Sequence, residues 1–411
     1  MNFQPKFDTA VPLAIPVPGP EDDRRSRTIL FRLSLVGFVT ALVARAVDPI
    51  VPPIALELGV DPHSVALLST AFALPFALVQ PVLGPVADMV GKIRVMLVCL
   101  AVLLGATLLS AFASNYSTLL IARVVAGIAS GGIFPVGIAV IGDLIPMKER
   151  QVAIGRWLTA VISGNLLGAT LAGLIGDLFG WRAVFVVFSA GGLFALVTAV
   201  VTLRAAARDH VTRFDIAGIP SRYADVLRNP RAKVCFGAVF TEGIVIFGLF
   251  PFVALLLLAG GEGRASIAGI VLAGFSIGGI VYALTVRMLV GRWRVDQLMI
   301  GGGVVAALAL GLAALGLSWP LQLGAFTLLG FGFYTLHGSI QVQTTELSTH
   351  ARGAAVSLHS FSFFVGHAIG PVLYGLGFSH AGPGVTMLVA ATVILLIGLV
   401  CARYLRERAT V

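Results

Sequence analysis

Twelve apolar runs of roughly twenty residues follow one another along this chain, and a run of that length with few charges is what a helix needs to cross a bilayer core. They cover residues 29–51, 64–86, 95–113, 118–141, 153–174 and 183–203, then 234–258, 265–286, 298–317, 321–342, 354–375 and 384–401. The predicted fold class is therefore an all-α membrane protein with twelve transmembrane helices. Composition closes off the alternative. Only 11% of the 411 residues are charged and 58% are hydrophobic, whereas a soluble domain carries about 25% charged residues to cover its surface. The three cysteines, Cys99, Cys235 and Cys401, lie in or beside apolar runs without the spacing of a zinc site or a disulfide framework.

The net charge of +9 could point to nucleic acid, so its placement decides. With an even number of crossings both ends of the chain share a side, and 24 of the 28 lysines and arginines fall on that side. Arg182 and Arg264 fall opposite, and Arg45 and Arg123 fall inside runs. The positive-inside rule then places both termini in the cytoplasm, in the inner (cell) membrane. The charge is topological, and no nucleic-acid partner is expected. The first 28 residues, rich in proline and charge, have no apolar stretch before a small-residue cleavage site and read as a cytoplasmic tail rather than a signal peptide.

The chain also repeats itself. An ungapped shift of 202 residues aligns Pro49 with Pro251, Gly59 with Gly261, Arg150 with Arg352, Gly164 with Gly366, Gly168 with Gly370 and Gly173 with Gly375. Single pairs arise by chance among 48 glycines; one offset that serves the whole chain does not. The reading is two six-helix halves, 29–203 and 234–405, joined by a cytoplasmic linker at 204–233, with tails at 1–28 and 406–411.

Several local patterns then carry a resemblance. Gly84-Pro85-Val86-Ala87-Asp88-Met89-Val90-Gly91-Lys92-Ile93-Arg94 resembles the loop signature of the major facilitator superfamily, with Gly84, Ala87, Asp88, Gly91 and the basic pair Lys92 and Arg94 in place. Val86 and Met89 depart from it. Leu120 to Gly127 and Asp143 to Arg150 resemble the family's fourth span and the loop after it. Gly164, Gly168, Gly173 and Gly176, followed by Gly180-Trp181-Arg182, look like the motif of its twelve-span drug:proton antiporters, except that Ala169 replaces the motif proline. The repeat partner keeps it as Gly370-Pro371, beside Gly366. The resemblance implies a conformational latch at Gly84, Asp88, Gly91, Lys92 and Arg94. Small residues at Gly164, Gly168, Gly173, Gly366 and Gly370 let helices approach closely.

Charged groups inside spans face a partner or a cavity, because lipid penalises them. Arg45 and Asp48 in span one, Arg123 in span four and Glu242 in span seven are the candidates. The resemblance implies that spans one, four, seven and ten line a central cavity. Asp48 and Arg123 come at similar depth, so a salt bridge between them is expected, either as a fixed structural pair or as a proton- or substrate-responsive one. Glu242 has no charged neighbour in its own span, and Glu242 and Asp48 are the candidate proton carriers. Tyr334, His337, Gln341 and Thr344 share one face of span ten. His337, Gln341, Tyr334, Gln80, Arg45 and Arg123 are the candidate substrate contacts, and the span-eleven histidines His359 and His367 read as packing residues.

No metal-ligand spacing, nucleotide loop or catalytic motif stands on a suitable element, so neither an enzyme nor a cofactor is expected. The expected function is a secondary transporter that exports a small organic compound against protons by alternating access, most simply as a monomer in the lipid bilayer. Proton-coupled uptake of a metabolite is the alternative within this fold, and a non-transporting membrane sensor the alternative outside it.

Overall fold

The computed structural model describes residues 20–145, 147–206, 219–348 and 351–405, and every regular element among them is helical. Twelve helices are long and apolar enough to cross a membrane, from Arg27–Leu58 and Pro62–Leu83 to Gly353–Ala381 and Pro383–Tyr404. Each apolar run of the sequence falls on one of them. The helices overshoot those runs because polar residues, not apolar ones, begin them. Asp61 accepts from the Ser64 N–H at 3.1 Å and Asn115 from the Thr118 N–H at 2.9 Å, each satisfying a backbone donor that the first turn leaves free. At the other end, Gly59 stops its helix at φ 62° and Gly91 at φ 108°, backbone angles that favour glycine.

Two spans are broken rather than continuous, which hydropathy does not register. Span one runs as a helix over Pro20–Ala44, tightens into a 3-10 turn at Asp48–Ile50 and resumes over Val51–Leu58. Pro49 has no N–H for the carbonyl four residues back and its ring clashes there, so the helix parts. Span seven repeats the device: helix Pro230–Glu242, a π-turn at Gly243–Phe247, a 3-10 turn at Phe250–Phe252 around Pro251, and helix Val253–Ala259. The two 3-10 turns are 202 residues apart, the offset of the internal repeat.

Side-chain burial forms two cores, one drawn almost wholly from residues 29–203 and one from residues 226–405. The same glycines pack the same way in each. A methyl group added at Gly164 would strike the carbonyl of Phe38, and one at Gly366 that of Phe240; Gly168 faces the Leu42 carbonyl, and Gly370 the Ile244 carbonyl. Spans five and eleven thus lie on spans one and seven with backbones in contact. Gly173 packs instead across the halves, against the Ala265 carbonyl, and Pro371 lies inside the span-eleven helix.

The short helix Ile219–Arg228 precedes span seven and marks what we term the linker face of the bundle; the opposite end is the distal face. Among the described residues, the hydrogen bonds between the halves lie at mid-bundle or toward the distal face. Thr70 donates to the Ala368 carbonyl at 2.7 Å, and Ser379 lies 3.3 Å from His63 Nδ1. The Asp177 carboxylate accepts from the Ala265 and Ser266 N–H groups, each at 2.8 Å, and so caps span eight from the other half.

Candidate functional site

In the first half, the break in span one sets the geometry. Unwinding brings Arg45 round to Asp48, Nη1 to Oδ2 at 3.4 Å, while Ser69 on span two donates to the other carboxylate oxygen at 2.9 Å. Asp48 is buried. Arg123 does not form the salt bridge expected with Asp48. Its guanidinium donates to the carbonyls of Val43 and Ala44 at 3.3 and 3.5 Å and lies over the Phe72 ring at 4.5 Å. Those carbonyls end the first helix of span one, where the helix dipole favours a cation. Similar depth does not suffice for pairing, because rotation about the helix axis decides it, and the break in span one turns Arg45 rather than Arg123 toward Asp48. Arg123 is a capping group buried in the first half, not a cavity contact.

In the second half, Glu242 ends the helix that opens span seven and is fully buried. Its Oε2 meets Nδ1 of His337 on span ten at 2.8 Å, and its Oε1 has no partner. His337 therefore faces Glu242, where the sequence suggested substrate alone. The His337 ring stacks on Phe333 at 4.9 Å and meets His359 edge-on at 5.0 Å and Phe363 at 5.2 Å. His359 Nε2 and His367 Nδ1 are buried without partners, so neither is a satisfied packing residue. Both belong to the site.

The two centres meet at one aromatic ring. Phe247, in the π-turn five residues after Glu242, lies 5.6 Å from Phe333, 5.3 Å from Phe363 and 5.1 Å from His367. The Arg45 guanidinium sits 4.7 Å over it and 4.9 Å over Phe250. Arg45 and Phe247 are partners in the repeat, so their contact marks the pseudo-twofold axis. Tyr334 packs on Phe275 at 5.7 Å. Arg45, Tyr334, His337 and Phe363 keep some exposure at this depth. Phe333, Phe363 and Phe275 were missed in the sequence because phenylalanine in a membrane span reads as lipid surface; only the clustering of rings separates these from the rest.

The remaining candidates lie elsewhere. Gln341 is exposed, one turn from His337 toward the linker face. Gln80 is half-buried on span two and its amide nitrogen has no partner. Of the latch residues, Gly91 makes the turn, and Lys92 reaches Asp143 of the same half at 2.7 Å. Gly84 and Asp88 fall on the span-two helix, and their surroundings, with any contact Asp88 makes, lie outside the described residues. Among the described residues no group of three or more histidine, cysteine or carboxylate side chains could hold a metal.

A family model described as Major Facilitator Superfamily matches residues 33–371, which is most of the chain. The chain belongs to this superfamily. Quinolone resistance protein NorA of Staphylococcus aureus is 24% identical to it over 82% of this chain and 87% of that protein. Among solved structures, a bacterial homologue of the human lysosomal transporter Spinster, in an inward-facing and unoccupied conformation, superposes with a TM-score of 0.72 at 18% identity, over 96% of this chain and 100% of that one. A POT peptide transporter gives 0.74 at 15% identity, over 94% and 99%. These structures share its fold. The protein is a multi-pass membrane transporter.

Proposed function

We propose that this protein exports a small organic compound in exchange for protons, with Glu242 as the proton-carrying group and His337 as its gate. The observation that carries the reading is a buried carboxylate whose described partner is a titratable imidazole at 2.8 Å, set where a broken helix reaches the centre of the bundle. A carboxyl so placed has few ways to be satisfied, so its protonation and the ring's orientation are coupled. Rocking of the two halves alternately exposes the centre to the two faces, and the basic linker face is the cytoplasmic one. The inner membrane is the expected location, with both termini inside. Asp48, held by Arg45 and Ser69, is a second protonatable group on the other half.

The likeness to a quinolone resistance protein supports export. Ala169, in place of the antiporter-motif proline, favours the second reading, proton-coupled uptake. Proteoliposomes loaded with a pH-sensitive dye test both. Substrate-triggered proton movement that is lost in Glu242→Gln supports the carrier role, and its direction relative to the solute separates exchange from uptake. Normal proton coupling in Glu242→Gln overturns the assignment.

A further inference from the structure

We propose that the central site selects an amphipathic aromatic acid, whose carboxylate is held by Arg45. The inference rests on the transport reading above but concerns binding alone, so it can fail without that reading failing.

What decides the sign of the ligand is which charges reach the open centre. Glu242 has no exposed surface and stands behind His337. The Asp48 side chain is 2% exposed, against 12% for Arg45. Arg45 has five N–H donors, of which one reaches Asp48 at the long distance of 3.4 Å, and none of its nitrogens is buried without a partner. The remaining donors are therefore taken up by no described residue. A planar guanidinium with free donors matches a carboxylate in two parallel hydrogen bonds. An organic cation would meet that guanidinium with both acidic groups shielded from it.

The walls supply the rest of the class. Phe247 and Phe250 flank the guanidinium, and Phe363 continues the aromatic surface from Phe247 to His337. Flat rings at these spacings accept a flat ring between or beside them.

The test uses the full chain, purified in a neutral detergent, and three probes that share one ring system: 2-naphthoate, 2-naphthamide and 2-naphthylmethylammonium. Calorimetric titration is expected to show naphthoate binding about tenfold or more tighter than either of the others. Arg45→Gln alone strands Asp48, so the double variant Arg45→Gln/Asp48→Asn is the control for folding; it is expected to bind naphthoate no better than naphthamide. Arg45→Lys, which keeps the charge without the planar fork, is expected to fall between. Ammonium binding equal to or tighter than naphthoate overturns the proposal. So does naphthoate binding to the double variant at the affinity of the unsubstituted protein, or no naphthoate binding to the folded chain.

Discussion

Glu242 has two carboxylate oxygens, one described partner and no contact with solvent, and a single-residue prediction follows. In His337→Leu the Oε2 atom loses its one described hydrogen bond while Oε1, which has none, stays buried beside it, at a cost of about 1–3 kcal/mol. Replacing both groups, as His337→Leu/Glu242→Met, removes the polar atoms together and is expected to restore most of the loss. Apparent melting temperatures in detergent read this directly, and a single variant as stable as the double would show the pair to be energetically idle. The charged member of this pair was legible in the sequence, because a glutamate inside an apolar run has to be explained. Its partner was not. His337 lies 95 residues away on another span, and periodicity gives a face, not the helix that face meets. Asp48 and Arg123 show the converse: each is legible as a charge inside a span, but the unwound turn of span one decides that Asp48 meets Arg45 and Arg123 meets backbone carbonyls.

At the scale of the helix, glycine positions divide by what a side chain would meet. Gly164→Val and Gly366→Val drive carbon into the carbonyls of Phe38 and Phe240, backbone that cannot move aside. Each is expected to destabilise by about 1–3 kcal/mol or more, visible as lost yield and a lower melting temperature. Gly105 has nothing within 4 Å of the added methyl, and Gly105→Ala in mid-helix is expected to stabilise by about 1 kcal/mol. The distal loop between spans seven and eight makes a pH prediction. Glu262 is clamped by Arg264 at 2.6 and 2.7 Å, which holds its carboxyl at about 2, below the ordinary 4.5. A lowered value means that the contact is fully present above the ordinary one and is lost only as pH falls toward 2. Glu262→Gln is therefore expected to leave the transport–pH profile between 5 and 8 unchanged. Span number and limits were legible because burial in lipid writes itself as apolar runs. The breaks in spans one and seven were not, although Pro49 and Pro251 had been matched, because a proline can also sit at a helix start or kink a helix without opening it.

For the whole molecule, the Asp177 cap ties the distal ends of spans five and eight and must release before that face can open. Asp177→Asn keeps one acceptor oxygen of two and gives up the charge, so the equilibrium is expected to move toward the distal-open state by about tenfold. Spin labels on the distal ends of the two spans measure this as a longer-distance population, and an unchanged distribution would make the cap a local feature of span eight. The doubling of the chain was legible from one offset. The state in which the halves meet was not, because side chains at either end of the bundle are equally compatible with contact or separation.

The meeting of Arg45 with Phe247 has a consequence for how such a chain came to be. In a pair of identical six-helix units, the residue on the axis meets itself. Two arginines there would press like charges together out of water, and two phenylalanines would leave no ion at the centre. Only units that have diverged in sequence can place different residues there, so a guanidinium resting on a ring is an arrangement closed to any homodimeric ancestor. Whatever selectivity resides in that contact arose after the two halves ceased to be identical.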